Sequence, residues 1–399
     1  MPTALVVLPS TTYRAADFIR AAEGLGVDLI VASEHPSPFD MGDRYLQIDC
    51  ADAHDAADAI VRLGDSVSID GVVAADDAGV LVAALAATKL GLRSNTPEAA
   101  AATRDKGRQR ALMEAAEVPQ PRFKVIGPGE DPRPAGDEVG YPLVVKPLDR
   151  AAGQGVIRVD RAEDLASVVE RVGGIVGPSV PLLAEGYMRG AEVALEGIVR
   201  EGDLTTLALF DKPDSVEGPY FPETLLITPS RLEASVQADC RRVAVAALQS
   251  IGISHGSVHV EMKAEGGSVR VIEIAARSIG GLCSKSLNFG LMGTTLETLI
   301  LRNAIGLDKP ELRREEIASG VLMIPIPAAG TFVEVRGLDS LSHIEHVTAV
   351  DITAQVGTRV EPPPEGDRYL GFVFARAHTP ETVEKALREA MGAIEVVIQ

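Results

Sequence analysis

Residues 1–95 alternate in pattern, and that alternation restricts the fold more than any other feature of the chain. Short apolar runs, "TALVVLP", "VDLIVASE", "YLQID" and "DGVVAADD", are separated by the helix-periodic segments "AADFIRAAEGLG" and "AADAIVRLG" and followed by "VLVAALAATKLG". Strands that alternate with helices predict a parallel sheet covered by helices. The fold class expected is therefore α/β, with a Rossmann-like unit at the N-terminus.

That unit is similar to half of a dinucleotide-binding fold, but the glycine fingerprint after the first strand is missing. The stretch there is "LPSTTYRAA", which argues against a nicotinamide or flavin site and so against a dehydrogenase. Thr96-Pro97-Glu98 has the residues of a helix start: a hydroxyl cap, proline at the first position and an acid behind it. Beyond it lie a helical stretch ending in "VPQPRF", a Gly/Pro-rich loop, a strand "YPLVVKP", a loop "DRAAGQGV" and a long hairpin from "AEVALEGIV" to "LTTLALF". A helix is expected from about Leu232 to Ile251. After Gly306 the chain becomes strand-rich, as in a small α+β domain. The expected division is 1–95, 96–181, 182–306 and 307–399.

Composition removes several function classes. The chain has 399 residues, 46% of them hydrophobic, a formal net charge of −19, no tryptophan and 4% aromatic residues. No basic stripe suits a nucleic acid, and base-stacking platforms are scarce. No run of about 18 apolar residues suits a membrane span. The opening "MPTALVVLPS" has no basic n-region and reads as a strand, so a cytoplasmic protein is expected. The three cysteines are isolated and without metal spacing, which fits reduced thiols.

The chemistry concentrates in "GSVHVEMKAEGGSVRVIEIAARSIGG", Gly256 to Gly281. Two alternating runs flank a Gly-Gly turn. Val258, Val260 and Met262 share one face of the first run; His259, Glu261 and Lys263 share the other. With a three-residue loop at Gly266–Ser268, Glu261 falls opposite Glu273. Like charges directly opposite repel, so the pair asks for a cation between them. Mg²⁺ fits two carboxylates and substrate phosphates; two solvated acids on an exposed sheet are the alternative reading. Lys146 interrupts a buried strand and needs an anion, and the Gly153-Gln154-Gly155 loop close behind it can present N–H groups to a phosphate.

Together these segments resemble the ATP-grasp superfamily over residues 96–307, through five motifs in order. "RDKGRQRALMEAAEVPQPRF" resembles the first nucleotide-lysine segment, with Lys106 as that lysine. "YPLVVKP" resembles the second, with Lys146, and "AAGQGV" resembles the phosphate lid. "AEGYMRGAEVALE" is similar to the adenine hinge, with Glu185, Gly186, Tyr187 and Met188 at the base and Glu192 at the ribose. "HVEMKAEGGSVRVIEIAAR" resembles the metal hairpin, with Glu261 and Glu273 as ligands and Arg277 on substrate and transferred phosphate. Lys212, after "LTTLALF", matches a γ-phosphate lysine. One departure is Ala275, which stands where many members have asparagine.

The tail "GVLMIPIPAAGTFVEVRGL" and "PEGDRYLGFVFARAHTPETVEKAL" resembles the C-terminal domain of the L-amino-acid ligase branch, and "EIAARSIGG" is similar to that branch too. The resemblance implies an ADP-forming ligase of a carboxylate and an amine, both amino acids, working through an acyl phosphate. ATP and Mg²⁺, replaceable by Mn²⁺, are the implied cofactors. Arg277, Lys146 and Lys212 are implied in catalysis, and His255, His259, Arg277, Ser278 and Gly280 in substrate contact. A homodimer is allowed. The rival expectations are an ATP-grasp ligase of purine or carboxylase type, and a nucleotide-binding protein that has lost catalysis.

Overall fold

The computed structural model describes all residues except 11, 38–40, 215–216, 291–292 and 308–313. Ser215 and Val216, which lie outside the described residues, belong to the stretch "DKPDSVEGPYFPETLLITPS" after "LTTLALF", which is Pro-rich and expected to run as a surface excursion.

The N-terminal alternation becomes a parallel sheet. It is built from β1 (Thr3–Val7), β2 (Asp28–Ser33), β3 (Tyr45–Gln47) and β4 (Gly71–Ala74), in the order β3-β2-β1-β4. Every residue of β1 is buried, as a central parallel strand with covered faces requires. The helix Asp77–Lys89 follows β4 and aims its N-terminus at the groove described below. Thr96 caps the next helix by accepting from the Ala99 N–H at 3.2 Å, with Pro97 at its first position.

A second, antiparallel sheet holds β5 (Phe123–Ile126), β6 (Leu143–Pro147), β7 (Ile157–Val159) and β8 (Leu182–Gly186), in the order β5-β8-β6-β7. The boundary expected at residue 182 is thus displaced. The strand from 182 to 186 hydrogen-bonds inside the smaller sheet, and the crossing into the larger one comes just after it.

The larger sheet takes β9 (Ala191–Arg200), β10 (Asp203–Lys212), β11 (Leu225–Thr228), β12 (His255–Glu265) and β13 (Ser268–Ala275). The C-terminal part adds β14 (Ala318–Met323), β15 (Gly330–Arg336), β16 (Val347–Ile352), β17 (Arg359–Val360), β18 (Gly371–Ala377) and β19 (Glu395–Ile398). Three of these continue the larger sheet, whose order is β13-β12-β9-β10-β11-β14-β18-β16; β17-β15-β19 form a small sheet of their own. The α+β domain is accordingly built onto the central sheet, and the line expected at 307 does not separate two sheets.

Strand parity decides what each face of the central sheet meets. Val193, Leu195, Val258, Val260 and Met262 pack on the helix Ala234–Ile251. Ala194, Ile198 and Phe210 pack toward the N-terminal domain and the helix Leu296–Ala304. The C-terminal helix Pro380–Ala393 covers β14 and β18. Burial of these side chains stabilises by roughly 1.5–3 kcal/mol each for a full-sized aliphatic.

The hairpin β12–β13 pairs Glu261 with Glu273, though not through the loop inferred from spacing. The loop has two residues, Gly266 and Gly267, with φ of +57° and +82°. Positive φ at both positions is what a tight type I′ turn needs, and glycine meets it without strain. The ladder then runs Glu265 opposite Ser268 to Met262 opposite Val271, and shifts at a bulge that leaves Ile272 extra. The bulge restores the register that a three-residue loop would have produced.

Candidate active site

A cavity of about 500 Å³ opens between the two antiparallel sheets, roofed by the N-terminal domain and the segment 367–369. All the predicted site residues line it except His255, Ser278 and Gly155. The lysines come from separate elements. Lys106 opens the helix Lys106–Ala115, whose cap Asp105 accepts from the Arg108 N–H. Lys146 stands in the middle of the small sheet, and Lys212 ends β10.

Each lysine is matched by wall carboxylates. Lys146 Nζ lies 2.7 Å from Glu185 Oε2, and Arg110 Nε donates to the other oxygen of Glu185 at 2.5 Å. All three side chains are buried. Burial pushes the Glu185 carboxyl up, but Arg110 and Lys146 outweigh it and hold it at about 2. Burial drives Lys146 below its usual range; Glu185 opposes that shift and Arg110 adds to it. Lys106 lies 3.0 Å from Glu273. Lys212 sits 2.6 Å from Glu192, 2.6 Å from Glu223 and 3.4 Å from Glu261. Its burial would lower its proton affinity, yet these three carboxylates raise it well above the ordinary value. Lys263 also reaches Glu192, at 3.0 Å.

His259 faces the cavity as expected. Its Nδ1 lies 3.1 Å from Glu196 and its Nε2 3.4 Å from Glu261. Burial lowers its proton affinity, and the two carboxylates more than reverse this, to about 9, so the ring is imidazolium at neutral pH. Glu196, fully buried, also accepts from the Ile279 N–H at 3.0 Å and so ties the histidine to the loop after Arg277. Burial raises the Glu196 carboxyl above its usual value.

Arg277 donates from Nε and Nη2 to Asp77 Oδ2 at 2.9 and 2.8 Å, and from Nη1 to the Ser278 carbonyl at 3.0 Å. Burial raises the Asp77 carboxyl, and Arg277 outweighs it to keep it below the usual range. Asp77 is the first residue of its helix, so the N-terminal domain positions the arginine of the hairpin.

Three predicted contacts are corrected. His255 lies four residues along β12 from His259, about 13 Å at strand rise, and its backbone is clasped by the Asn95 side chain. Shared strand parity placed it on the right face but too far along. Ser278 is buried, its hydroxyl accepting from Arg14 at 2.5 Å. The Gly155 N–H donates to the Pro364 carbonyl at 2.8 Å, while Gln154 Nε2 donates to the Glu365 carbonyl at 3.1 Å. The glycine loop is thereby fastened to the C-terminal domain.

At the hinge, the Gly186 and Tyr187 N–H groups donate to the Arg122 and Pro142 carbonyls. Tyr187 stacks on Phe221 with ring centroids 6.4 Å apart, and Arg158 lies 4.2 Å from the Tyr187 centroid. Two residues important to this geometry were not among those expected. Arg110 also donates to the Val271 and Ile272 carbonyls, at 3.1 and 2.6 Å, and so grips the bulge. Its signal was available, because it lies one helical turn from Lys106 on the same face. Glu223, which accepts from Tyr369 Oη at 2.9 Å, carried no local signal.

The donor set suits a hard divalent cation held partly by a ligand's own oxygens. Glu261 and Glu273 face each other, both line the cavity, and each is already met by a lysine ammonium. Among the described residues no cluster of three or more His, Cys, Asp or Glu forms a complete protein-only metal cage. Ala275, opposite His259, adds no donor.

Comparison with known proteins agrees with this architecture. Residues 139–286 match the ATP-grasp domain, 19–93 the ATP-grasp N-terminal domain and 322–399 the L-amino acid ligase C-terminal domain 2. These matches place the chain in the ATP-grasp superfamily. Within it, the chain is most like the L-amino acid ligase branch.

Alanine–anticapsin ligase of Bacillus amyloliquefaciens is 27% identical over 230 residues, 52% of this chain and 48% of that protein. The same-named enzyme of Bacillus subtilis is 27% identical over 248 residues, 57% of this chain and 52% of that protein. The chain thus spans about half the length of these curated relatives. Among solved structures, an L-amino acid ligase from Bacillus licheniformis superposes with a TM-score of 0.85 at 23% identity, covering 100% of this chain and 99% of that one. N5-carboxyaminoimidazole ribonucleotide synthetase from Thermotoga maritima superposes with a TM-score of 0.75 at 17% identity, covering 100% of both chains. At these identities the likeness is one of fold. No described helix is long and apolar enough to cross a membrane.

Proposed function

We propose that the protein is an ADP-forming carboxylate–amine ligase that joins two amino acids through an acyl phosphate. The observation that carries this reading is the Glu261–Glu273 pair, set in one cavity with Lys106, Lys146 and Lys212 beneath a ligase-type C-terminal domain. A carboxylate and an amine condense poorly in water, and phosphorylation converts the carboxylate oxygen into a leaving group.

In this reading Lys106 and Lys146 hold nucleotide phosphates and Lys212 the γ-phosphate. The strand end and connector Glu185–Met188 cradle the adenine, and Glu192 takes the ribose hydroxyls. Bound at Glu261 and Glu273, Mg²⁺ (or Mn²⁺ in its place) supplies charge neutralisation for the transferred phosphoryl group. Gly153 and Gln154 exclude water that would hydrolyse the acyl phosphate. Arg277 presents its planar fork to the acyl phosphate and the oxyanion, steadied by Asp77. His259 and Gly280 lie on the substrate side. The reading places the protein in the cytoplasm and permits a homodimer.

The test is phosphate and ADP release from MgATP, with each of the twenty proteinogenic L-amino acids supplied singly and in pairs. Release that requires amino acids, together with a product of condensed mass, supports the reading. A buried alanine at 275, with no donor to add, favours the second reading, a nucleotide-binding protein without turnover. ATP binding without release in any pair would select it. The match of residues 322–399 to a ligase C-terminal domain favours amino acids over a purine- or carboxylase-type substrate.

Arg277→Ala is expected to keep ATP binding, read by calorimetry, and to lose condensed product, read by mass spectrometry. Unchanged turnover would remove Arg277 from the mechanism.

A further inference from the structure

The cations of the cavity wall are not equivalent. Lys106, Lys146, Lys212, Lys263 and Arg277 each lie within 3.0 Å of a wall carboxylate. Arg150 is paired with Asp149 at 2.8 Å, and Arg368 lies 3.6 Å from its neighbour Asp367 with 64% of its side chain exposed. Arg104 differs from all of these. It lines the cavity and is partly buried, yet among the described residues its guanidinium makes no hydrogen bond or ion pair.

Its location is specific. It sits in the turn between the helix Pro97–Ala102 and Lys106, close enough to Asp77 to act on that carboxylate together with Arg277. It therefore stands at the N-terminal-domain end of the cavity, beside the arginine and away from the hinge at Tyr187. Arg277 itself has already committed three N–H donors, two to Asp77 and one to the Ser278 carbonyl. The uncommitted positive charge at this end is that of Arg104.

A half-buried guanidinium with all its donors unspent is an anion receptor, and its fork matches a carboxylate in two parallel hydrogen bonds. We infer that Arg104 receives the carboxylate of the amino acid to be activated, and so helps to determine which acids enter. The inference rests on the ligase reading for the fate of that carboxylate. The γ-phosphate is the other anion that could reach the same fork. In the carboxylate assignment Arg104 receives the acid with both oxygens in its fork, then keeps one of them while the other turns out of the fork and attacks the γ-phosphorus. The bond to the ADP oxygen breaks, ADP leaves with that electron pair, and the acyl phosphate remains against Arg277.

The experiment compares wild type, Arg104→Gln and Arg104→Lys, each checked for folding by thermal melting. Calorimetry on protein loaded with MgADP measures binding of L-amino acids and of the corresponding L-amino acid amides, which lack the carboxylate. Wild type is expected to prefer acid over amide. Arg104→Gln is expected to lose that preference, with acid affinity falling about 30-fold and ATP affinity unchanged. Arg104→Lys should recover part of it, keeping the charge without the fork.

In turnover, KM for the activated acid should rise while KM for ATP holds. An equal preference in Arg104→Gln and wild type would overturn the inference, as would no binding of any amino acid to wild type. A loss confined to ATP would give the fork to the γ-phosphate and overturn it too. Absence of turnover in wild type would defeat the ligase reading alone, because the acid-over-amide comparison still decides the role of Arg104.

Discussion

Replacing Glu273 with glutamine is expected to abolish ADP release in the presence of MgATP and substrate amino acids. The change keeps size and shape and removes one negative charge from the cavity. Two consequences follow from the geometry. Glu261 loses the carboxylate opposite it, so a divalent cation there keeps a single charged protein ligand. Lys106, 3.0 Å from Glu273, loses its counter-charge and is free to draw the nucleotide phosphates out of position.

Metal charge stabilisation of a phosphoryl oxygen amounts to several kcal/mol, and each 1.4 kcal/mol is tenfold, so the fall in turnover should exceed about 100-fold. Initial rates at increasing Mg²⁺ check the cause. A variant that reaches the wild-type rate at high Mg²⁺ has only weakened affinity, and one with wild-type rates throughout would end the metal assignment.

The second large effect is on stability. Glu185→Gln removes the carboxylate between Arg110 and Lys146 and leaves two buried cations facing each other. Breaking a buried ion network by deleting one partner costs about 3–5 kcal/mol, here read as a lower urea midpoint at unchanged slope. The acid dependence provides a separate signature. The folded-state value of Glu185, about 2, lies below its ordinary 4.5. Its contribution is therefore present above pH 4.5 and is lost as the pH falls toward 2. Wild type should lose stability across that window more steeply than Glu185→Gln. Parallel pH curves would mean that Glu185 is not held ionised by its partners.

How much of this was legible in the residues depends on the range of the interaction. The parallel N-terminal sheet was legible, because alternation of apolar runs and helical periodicity is a local signal. The pairing of Glu261 with Glu273 was legible for a mistaken reason: a shorter loop and a bulge at Ile272 offset each other, and spacing cannot distinguish that from a longer loop. Face was legible for His259 and His255 alike, but distance along the sheet was not, since strand ends depend on neighbours.

The partner of Arg277 is 200 residues away in sequence, and that of Ser278 is 264 away. No periodicity reports such pairs. Nor does it report that β14, β16 and β18 extend the central sheet, because strand order is a property of assembled layers.

The bulge at Ile272 has a mechanical meaning as well. Arg110 joins Glu185 in the smaller sheet to the Val271 and Ile272 carbonyls in the larger one, with 1% of its surface exposed. Prying the sheets apart there would strip a dry guanidinium of its acceptors, a cost of several kcal/mol. The cleft thus has a welded corner. The Gly153–Gly155 loop has only a lighter fastening, two hydrogen bonds to the backbone carbonyls of residues 364 and 365 in place of a buried ion network.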